Sequence, residues 1–319
     1  MTKRERVLAA FQGKETDVVP VSMWKHVPEK YWDDHDAFAQ VQADFYKATD
    51  VDFMKLSADK FFPWPSPVLE GITKAEDLYK IEPLGPSHPF IREQIERTKK
   101  VVAALGKDCP TLYLIFVPIS YLRLKIGYPL MMQFIRENPD AMKYACNVVA
   151  QDAKLLAKGV IEEAGVDGIF YSVQNGEENR FTDEEYRDWL MPSDLDLLSY
   201  VNSLSEMNAI HFCAWEEIPN RLETWKDYHA PVISWSRYID LMDISKAKEQ
   251  FGATVWGGFD NREGTLLYTG SKEEIEAEVK SLIQQGGKKG YIIGADCSLH
   301  DSMPLEHIRY VVEAARKFS

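Results

Sequence analysis

Eight short apolar segments, separated by longer amphipathic ones, constrain what this 319-residue chain can fold into. Each apolar segment is rich in β-branched or aromatic residues and is bounded by polar residues, Gly or Pro, a pattern that predicts strands. Strands that alternate with helices are typical of a parallel sheet. The predicted strands are VVPVSM, VDFMKL, TLYLIFV, DGIFYS, NAIHFC, APVISW, ATVWGG and GYIIGA, which begin at Val18, Val51, Thr111, Asp167, Asn208, Ala230, Ala253 and Gly290.

The segments between the strands have helical periodicity and helix-capping signals. SKEEIEAEVKSLIQQG begins with Ser271 as a predicted N-cap, has Glu274 three residues later and ends at Gly286. TKRERVLAAF predicts a further helix before the first strand. Eight βα units in a chain of this length predict a (β/α)8 TIM barrel with loop insertions, as a single domain over residues 1–319. A doubly wound open sheet is the alternative, although no GxGxxG motif follows the first strand.

The composition and charge exclude several classes of function. The chain has 37 basic and 50 acidic residues, a net charge of −13 and no basic stripe, so no nucleic-acid partner is expected. No run of ~18 apolar residues predicts a membrane span. The opening MTKRERVLAAFQGKE has no long apolar run and no cleavage site of a secretory signal, so a cytoplasmic location is expected.

His211 and Cys213 form the sharpest local motif, His-x-Cys at the end of the fifth predicted strand. Residues two apart on a strand face the same side, so both side chains point to one face. Cys297 lies 84 residues later, at the end of the eighth predicted strand. An imidazole and two thiolates are zinc ligands, and three protein ligands leave a fourth position open. The alternative is two unrelated core thiols and a core histidine, because free thiols are usually buried small hydrophobes.

Further polar and aromatic residues follow the ends of other predicted strands, where barrel enzymes carry their active sites. Each has a structural alternative: an Asp there commonly caps a turn, and most Trp residues belong to the core. Asp59 and Tyr121 are the predicted catalytic residues. The predicted substrate-binding residues are Lys25, His26, Arg123, Asn175, Trp235 and Asp260.

Four segments together resemble the uroporphyrinogen decarboxylase superfamily, and the likeness runs nearly end to end. RERVLAAFQGKETDVVPVSMW resembles the N-terminal helix and first strand of that family. EEAGVDGIFYS, WGGFDNREGTLLYTGSKEEIEAEVKSLI and GYIIGADCSLHDSMPLEHIRYVVEAAR resemble its fourth, seventh and eighth units. The resemblance implies a (β/α)8 barrel with the active site in the cleft at the strand ends.

The decarboxylase branch of the superfamily acts on a porphyrinogen without a metal. Its Arg-Gln-Ala-Gly-Arg segment, whose arginines bind substrate carboxylates, is replaced here by KHVP at residues 25–28. Asp59 and Tyr121 are similar in placement to the catalytic Asp and the substrate-contacting Tyr of that branch. Its C-terminal His is replaced by Cys297. The missing arginines argue against uroporphyrinogen as the substrate.

The other branch contains corrinoid-dependent methyltransferases, including the methylcobamide:coenzyme M type, which bind zinc through His-x-Cys and a later Cys. His211, Cys213 and Cys297 match all three positions, whereas the Gly that usually follows the first Cys is Ala214 here. The resemblance implies transfer of a methyl group between a corrinoid protein and a small thiol or another methyl acceptor or donor.

The same resemblance implies Zn²⁺ as the cofactor and a corrinoid such as methylcobalamin as the methyl carrier. The corrinoid is expected on a partner protein, because the chain has no Asp-x-His-x-x-Gly segment. Glu177 or Glu178 is placed to be a displaceable fourth zinc ligand. Some relatives are dimers, so a homodimer is left open.

Two other functions are left open. The first is a metal-independent decarboxylase that uses Asp59 as its acid or base. Lys25, Arg123 and Arg237 would then form its carboxylate clamp. The second is a non-catalytic protein that binds a corrinoid or a tetrapyrrole.

Overall fold

The computed structural model describes residues 1–319, except for the side chains of residues 224 and 225. Its α-helices are α1 (Lys3–Phe11), α2 (His35–Thr49), α3 (Pro89–Leu105), α4 (Pro118–Ile126), α5 (Tyr128–Glu137), α6 (Pro139–Glu162), α7 (Asp183–Trp189), α8 (Met191–Leu204), α9 (Ile244–Phe251), α10 (Leu266–Thr269), α11 (Lys272–Gly286) and α12 (Leu305–Phe318). Its strands are β1 (Met54–Leu56), β2 (Thr111–Phe116), β3 (Gly168–Val173), β4 (Ala209–Phe212), β5 (Val232–Ser234), β6 (Thr254–Phe259) and β7 (Tyr291–Ala295). Over the described residues, no helix is long and apolar enough to cross a membrane.

The seven strands form one parallel sheet in the order β1 to β7. Each strand therefore pairs with the next strand in the chain, and the strand order never reverses. A doubly wound sheet requires such a reversal, so the open-sheet alternative is wrong. The last seven of the eight predicted strands are confirmed.

The first predicted strand, VVPVSM, is not a regular strand in the structure. Val21 makes a single parallel bridge to Ile293 of β7. The Ser22 amide donates to the Ile293 carbonyl (3.0 Å), and the Asp52 amide donates to the Val21 carbonyl (2.8 Å). The segment therefore lies between β7 and the residues that precede β1. Pro20 has no amide hydrogen, so it cannot donate to a regular ladder.

The sheet is curled, because residues from strands far apart in its order touch each other. Phe170 of β3 and Trp256 of β6 have ring centroids 5.5 Å apart, although β4 and β5 separate their strands. Trp24 packs against both rings at 5.1 and 5.0 Å, and Phe53 packs against Trp256 at 4.8 Å. A layer of buried aromatic rings thus fills the concave side of the sheet.

The predicted N-terminal cap of α11 is confirmed. Ser271 accepts from the Glu274 amide, and the Glu274 carboxylate accepts from the Ser271 amide, which forms a capping box. Thr2 and Glu5 form the same box at the start of α1. These local signals fix where the helices begin, and the buried apolar faces of the helices then pack around the sheet.

Candidate metal centre

His211, Cys213 and Cys297 meet at the carboxyl ends of the strands. His211 lies in β4, Cys213 directly follows β4, and Cys297 lies two residues after β7. One potential ligand atom from each residue lies within 4.8 Å of the other two. The two Sγ atoms are 3.9 Å apart. The structure therefore brings together the three residues that the sequence predicts as zinc ligands.

The His211 imidazole is held by its surroundings in a fixed orientation. Its Nδ1 is 3.0 Å from the hydroxyl of Ser234, which is directly opposite on β5. Its ring stacks on Phe170 with centroids 5.1 Å apart, and Trp24 packs edge-on at 5.7 Å. The other ring nitrogen, Nε2, is buried and has no hydrogen-bond partner in the described part of the chain. A buried polar atom without a partner is costly unless it binds a ligand.

The two thiols differ in how readily they ionise. A hydrogen bond from Cys213, aided by the His211 imidazole, holds the pKa of Cys297 well below its usual value. The same contact raises the pKa of Cys213, so Cys297 is the first of the two to become a thiolate. Gln174 donates to Cys213 Sγ at 3.5 Å. An imidazole, a thiol that ionises readily and a second thiol beside it are the kinds of ligand that Zn²⁺ prefers.

The loop after β4 has an unusual backbone. Ala214 has φ 47° and ψ 49°, and Glu216 and Glu217 also have positive φ values of 59° and 57°. The Ala214 amide donates to the side chain of Asn220 (3.0 Å), which holds the turn. Ala214 therefore keeps a left-handed conformation at the position where the resembled methyltransferases usually have glycine. A left-handed conformation costs a non-glycine residue about 1 kcal/mol or more.

Ala214→Gly is expected to stabilise the metal-free protein by about 1 kcal/mol, because glycine adopts the left-handed region without a Cβ penalty. The free energy of unfolding in urea measures this effect. Ala209→Gly is the matched control, since Ala209 lies within β4 and glycine weakens a strand interior. The two substitutions should change stability in opposite directions. A loss of stability with Ala214→Gly would contradict the strain described here.

Glu177 and Glu178, the predicted fourth ligands, lie outside the triad. One Glu177 oxygen accepts from Arg180 Nε at 2.6 Å. The other accepts from the amides of Trp215 (3.1 Å) and Asn175 (3.2 Å). The Glu177 carboxylate is thus fully engaged in holding two loops together, and Glu178 is exposed.

His26 and Asp59 form a pair at the rim of the cleft. His26 Nδ1 is 2.6 Å from Asp59 Oδ1, and the Val27 amide donates to Asp59 Oδ2 at 2.7 Å. Burial raises the pKa of Asp59, but the His26 contact and the Val27 hydrogen bond outweigh it and hold that pKa below its usual value. The His26 side chain is 49% exposed, whereas Asp59 is buried. Asp59 therefore orients a histidine that faces solvent.

Arg123 reaches the triad through one intermediate residue. Its guanidinium donates to Gln174 Oε1 at 2.6 Å, and Gln174 in turn donates to Cys213 Sγ. The same guanidinium stacks 3.8 Å from the ring of Trp215. Asn175, with a positive φ of 68°, donates to the Ser120 hydroxyl at 3.1 Å. Arg123 and Asn175 thus support the loops beside the triad.

The four remaining predicted site residues bind the protein's own groups. Burial raises the pKa of the Tyr121 phenol, whose ring packs against Phe116. The partners are the Asp301 carbonyl for Lys25 (2.9 Å), the Phe116 amide for Tyr121 (3.4 Å), the Met242 carbonyl for Trp235 (3.0 Å) and the Arg262 guanidinium for Asp260 (2.6 Å).

The sequence reasoning missed two residues near the triad, Lys55 and Ser234. A signal for Lys55 was present, since it is a lysine inside the apolar strand VDFMKL and lies on the same side as Phe53. Ser234 had no comparable signal. Its contact with His211 depends on the register between β4 and β5, which a single sequence does not show.

Comparison with known proteins shows which family the chain resembles. Residues 60–318 match the family model described as uroporphyrinogen decarboxylase (URO-D). No curated protein sequence matches significantly. A solved methyltransferase from Methanosarcina mazei is similar over 100% of this chain and 99% of its own, with a TM-score of 0.76 and 18% identity.

Two further solved structures have lower TM-scores. The B12-independent methionine synthase from Shewanella sp. W3-18-1, in complex with selenomethionine, has a TM-score of 0.52 and 13% identity over 94% of this chain and 93% of its own. A protein described as a putative vitamin-B12-independent methionine synthase from Listeria monocytogenes has a TM-score of 0.54 and 13% identity over 95% and 99%. At these identities the likeness shows a shared fold. The family match spans most of the chain, so the protein belongs to the uroporphyrinogen decarboxylase (URO-D) family.

Proposed function

We propose that this protein is a zinc-dependent methyltransferase that moves a methyl group between a corrinoid protein and a small thiol. The observation that carries the proposal is the triad, in which two neighbouring thiols face a histidine whose buried Nε2 has no other partner. Membership of the URO-D family and a fold shared with a solved methyltransferase support it.

His211, Cys213 and Cys297 would hold the zinc ion and leave a fourth position open. Bound zinc would supply the Lewis acidity that lowers the pKa of a thiol and keeps it as the nucleophilic thiolate. Ser234 fixes the His211 ring through Nδ1, so that Nε2 faces the thiols. Gln174 donates to Cys213 Sγ and so stabilises negative charge on that sulfur.

We propose that His26 accepts the proton that the substrate thiol loses. His26 and Trp24 line a cavity of 370 Å³ that the three triad residues do not line, and Trp24 connects it to the triad by packing against His211. Asp59 contacts His26 Nδ1, so Nε2 is the ring nitrogen that would accept the proton.

The methyl transfer itself needs no external oxidant. A corrinoid on the partner would supply the methyl group and the thiolate at the triad would accept it, with the electron pair of the broken carbon–cobalt bond left on the corrinoid. The reverse reaction, from a methylated substrate to a reduced corrinoid, uses the same residues. The corrinoid is supplied by a partner, whose docking would cover the strand-end cleft.

Ser234→Ala is expected to weaken zinc binding about 10- to 100-fold, because residues that orient a metal-binding histidine contribute to affinity by that amount. Competition with a chromophoric chelator measures the dissociation constant. Ser193→Ala is the matched control, since the Ser193 hydroxyl in α8 donates to the carbonyl of Leu190, the residue just before that helix. Equal zinc affinity in both variants would contradict the role given to Ser234.

The function is tested by combining metal analysis with a transfer assay. Purified protein is expected to contain about one equivalent of zinc. Zinc-loaded protein is then mixed with methylcobalamin and a panel of small thiols, and the methyl thioether is detected by mass spectrometry. Zinc-dependent product supports the proposal. Less than about 0.1 equivalent of zinc that cannot be increased by adding the metal, or no product from loaded protein, would overturn it.

The decarboxylase alternative depends on three cations that would act as a carboxylate clamp. Each of them is engaged elsewhere in the described structure, so no specific observation favours that function. Their partners are the Asp301 carbonyl for Lys25, Gln174 for Arg123, and the Gly258 carbonyl and Glu278 for Arg237. A purely binding protein would hold cobalamin without forming any thioether in the same assay.

A further inference from the structure

Lys55 is a buried lysine on the concave side of the sheet. It is the middle residue of β1 and is only 4% exposed. Its Nζ lies 5.5 Å from the ring centroid of Phe170 and 5.8 Å from that of Trp24. Both rings also contact the imidazole of His211. The ammonium group is therefore separated from the triad by a single layer of aromatic rings.

The ammonium group of Lys55 lacks a charged partner. Among the side chains that the structure describes, its Nζ makes no hydrogen bond and no ion pair. Burial lowers the pKa of Lys55 to about 8, while the negative charges of Asp59, Cys297 and Cys213 act in the opposite direction. The charged form thus predominates at neutral pH. The two aromatic faces stabilise it only partly, since burying an unpaired charge is costly.

The charges around Lys55 indicate which charge a ligand bound beside the triad should carry. This step rests on the proposed function, in which the triad holds Zn²⁺. A dication with two thiolates and a neutral imidazole has no net charge, so the triad itself does not compensate the charge of Lys55. The nearest carboxylate that acts on Lys55 is Asp59, which is held by His26 and the Val27 amide. A neutral ligand would leave the charge of Lys55 uncompensated. An anionic ligand would neutralise it.

We propose that Lys55 supplies the countercharge for an anionic ligand beside the triad, so that the site selects acceptors that enter as thiolates over neutral ones. Lys55 is then a specificity-determining residue. It favours anions through the charge of its ammonium group, whose effect is stronger than at the surface because the Lys55 side chain is only 4% exposed. A zinc ion held by the triad would not by itself select anionic over neutral ligands, because neutral imidazole is also a good ligand for such metal ions.

Cobalt-substituted protein provides a test that does not depend on turnover. Co²⁺ in place of zinc gives visible absorption bands that change when a ligand binds. Wild-type protein and Lys55→Met are titrated with 2-mercaptoethanol and azide as anionic ligands, and with imidazole as a neutral one. Methionine is similar in length to lysine and apolar, so it suits the aromatic surroundings and should preserve folding. Lys100→Met removes an equal charge from the surface, where Lys100 pairs with Asp36, and is the matched control.

In Lys55→Met, the dissociation constants of the thiol and of azide should rise about 10- to 100-fold, because an uncompensated anion loses its nearby cation. The constant for imidazole and the cobalt stoichiometry should stay as in wild type, and Lys100→Met should change none of them. Equal anion affinity in Lys55→Met and wild type, with cobalt bound, would overturn the role of Lys55 alone. A wild-type protein that binds no cobalt would overturn the metal site and this inference together.

Discussion

Cys213→Ser and Cys297→Ser should each reduce bound zinc from about one equivalent to less than about a tenth after dialysis against a mild chelator. Structural sites with four ligands bind Zn²⁺ with a free energy of about 10–16 kcal/mol. Each ligand thus contributes roughly 3 kcal/mol, a factor of more than ~100 in zinc affinity. A serine hydroxyl is a poor replacement, because it does not ionise near neutral pH as a thiol does. Metal analysis of the purified variants measures the loss.

The chain itself provides the controls for this experiment. Cys109 and Cys146 are buried thiols outside the cluster of His211, Cys213 and Cys297. Burial raises the pKa of Cys109 to about 12, so it has little thiolate to offer a metal. Cys109→Ser and Cys146→Ser should therefore retain the zinc of the wild-type protein. Full zinc in Cys213→Ser, or an equal loss in all four variants, would contradict the ligand assignment.

Glu177→Ala is expected to lower the free energy of unfolding by about 3 kcal/mol, the lower end of the cost of breaking a buried ion pair from one side, because Arg180 keeps a contact with Glu216 at 3.2 Å. The Glu177 and Arg180 side chains are 0% and 2% exposed, so solvent cannot replace the missing carboxylate. The amide of Trp215 loses its acceptor as well. Denaturant unfolding of metal-free protein measures the change.

Glu178→Ala separates this structural role from a role as a zinc ligand. Glu178 is the exposed neighbour of Glu177, and its substitution should change stability by no more than about 0.5 kcal/mol. If Glu177 acts only through Arg180 and the loop amides, folded Glu177→Ala protein will still bind about one equivalent of zinc. Lost zinc affinity with unchanged stability would instead support the prediction that Glu177 is the fourth ligand.

The helix starts and seven strands could be predicted because they depend on local signals. The capping box of Ser271 and Glu274 is complete within four residues, and apolar runs such as TLYLIF mark buried strands of a parallel sheet. The first predicted strand failed for a local reason as well, since Pro20 cannot donate to a ladder. It still lies between β7 and the start of β1, which the eight-unit pattern had indicated.

The sequence by itself determined that His211 and Cys213 share one face, because strand periodicity places residues two apart on one side. The match to a known motif added Cys297. Only the tertiary structure decided the rest. The curl of the sheet brings Cys297 Sγ to 3.9 Å from Cys213 Sγ, and the register of β4 and β5 places Ser234 beside the imidazole. Packing across the sheet also places the amine of Lys55 5.5 Å from the ring centroid of Phe170. Periodicity is a property of a few neighbouring residues, whereas these contacts depend on how distant strands pack.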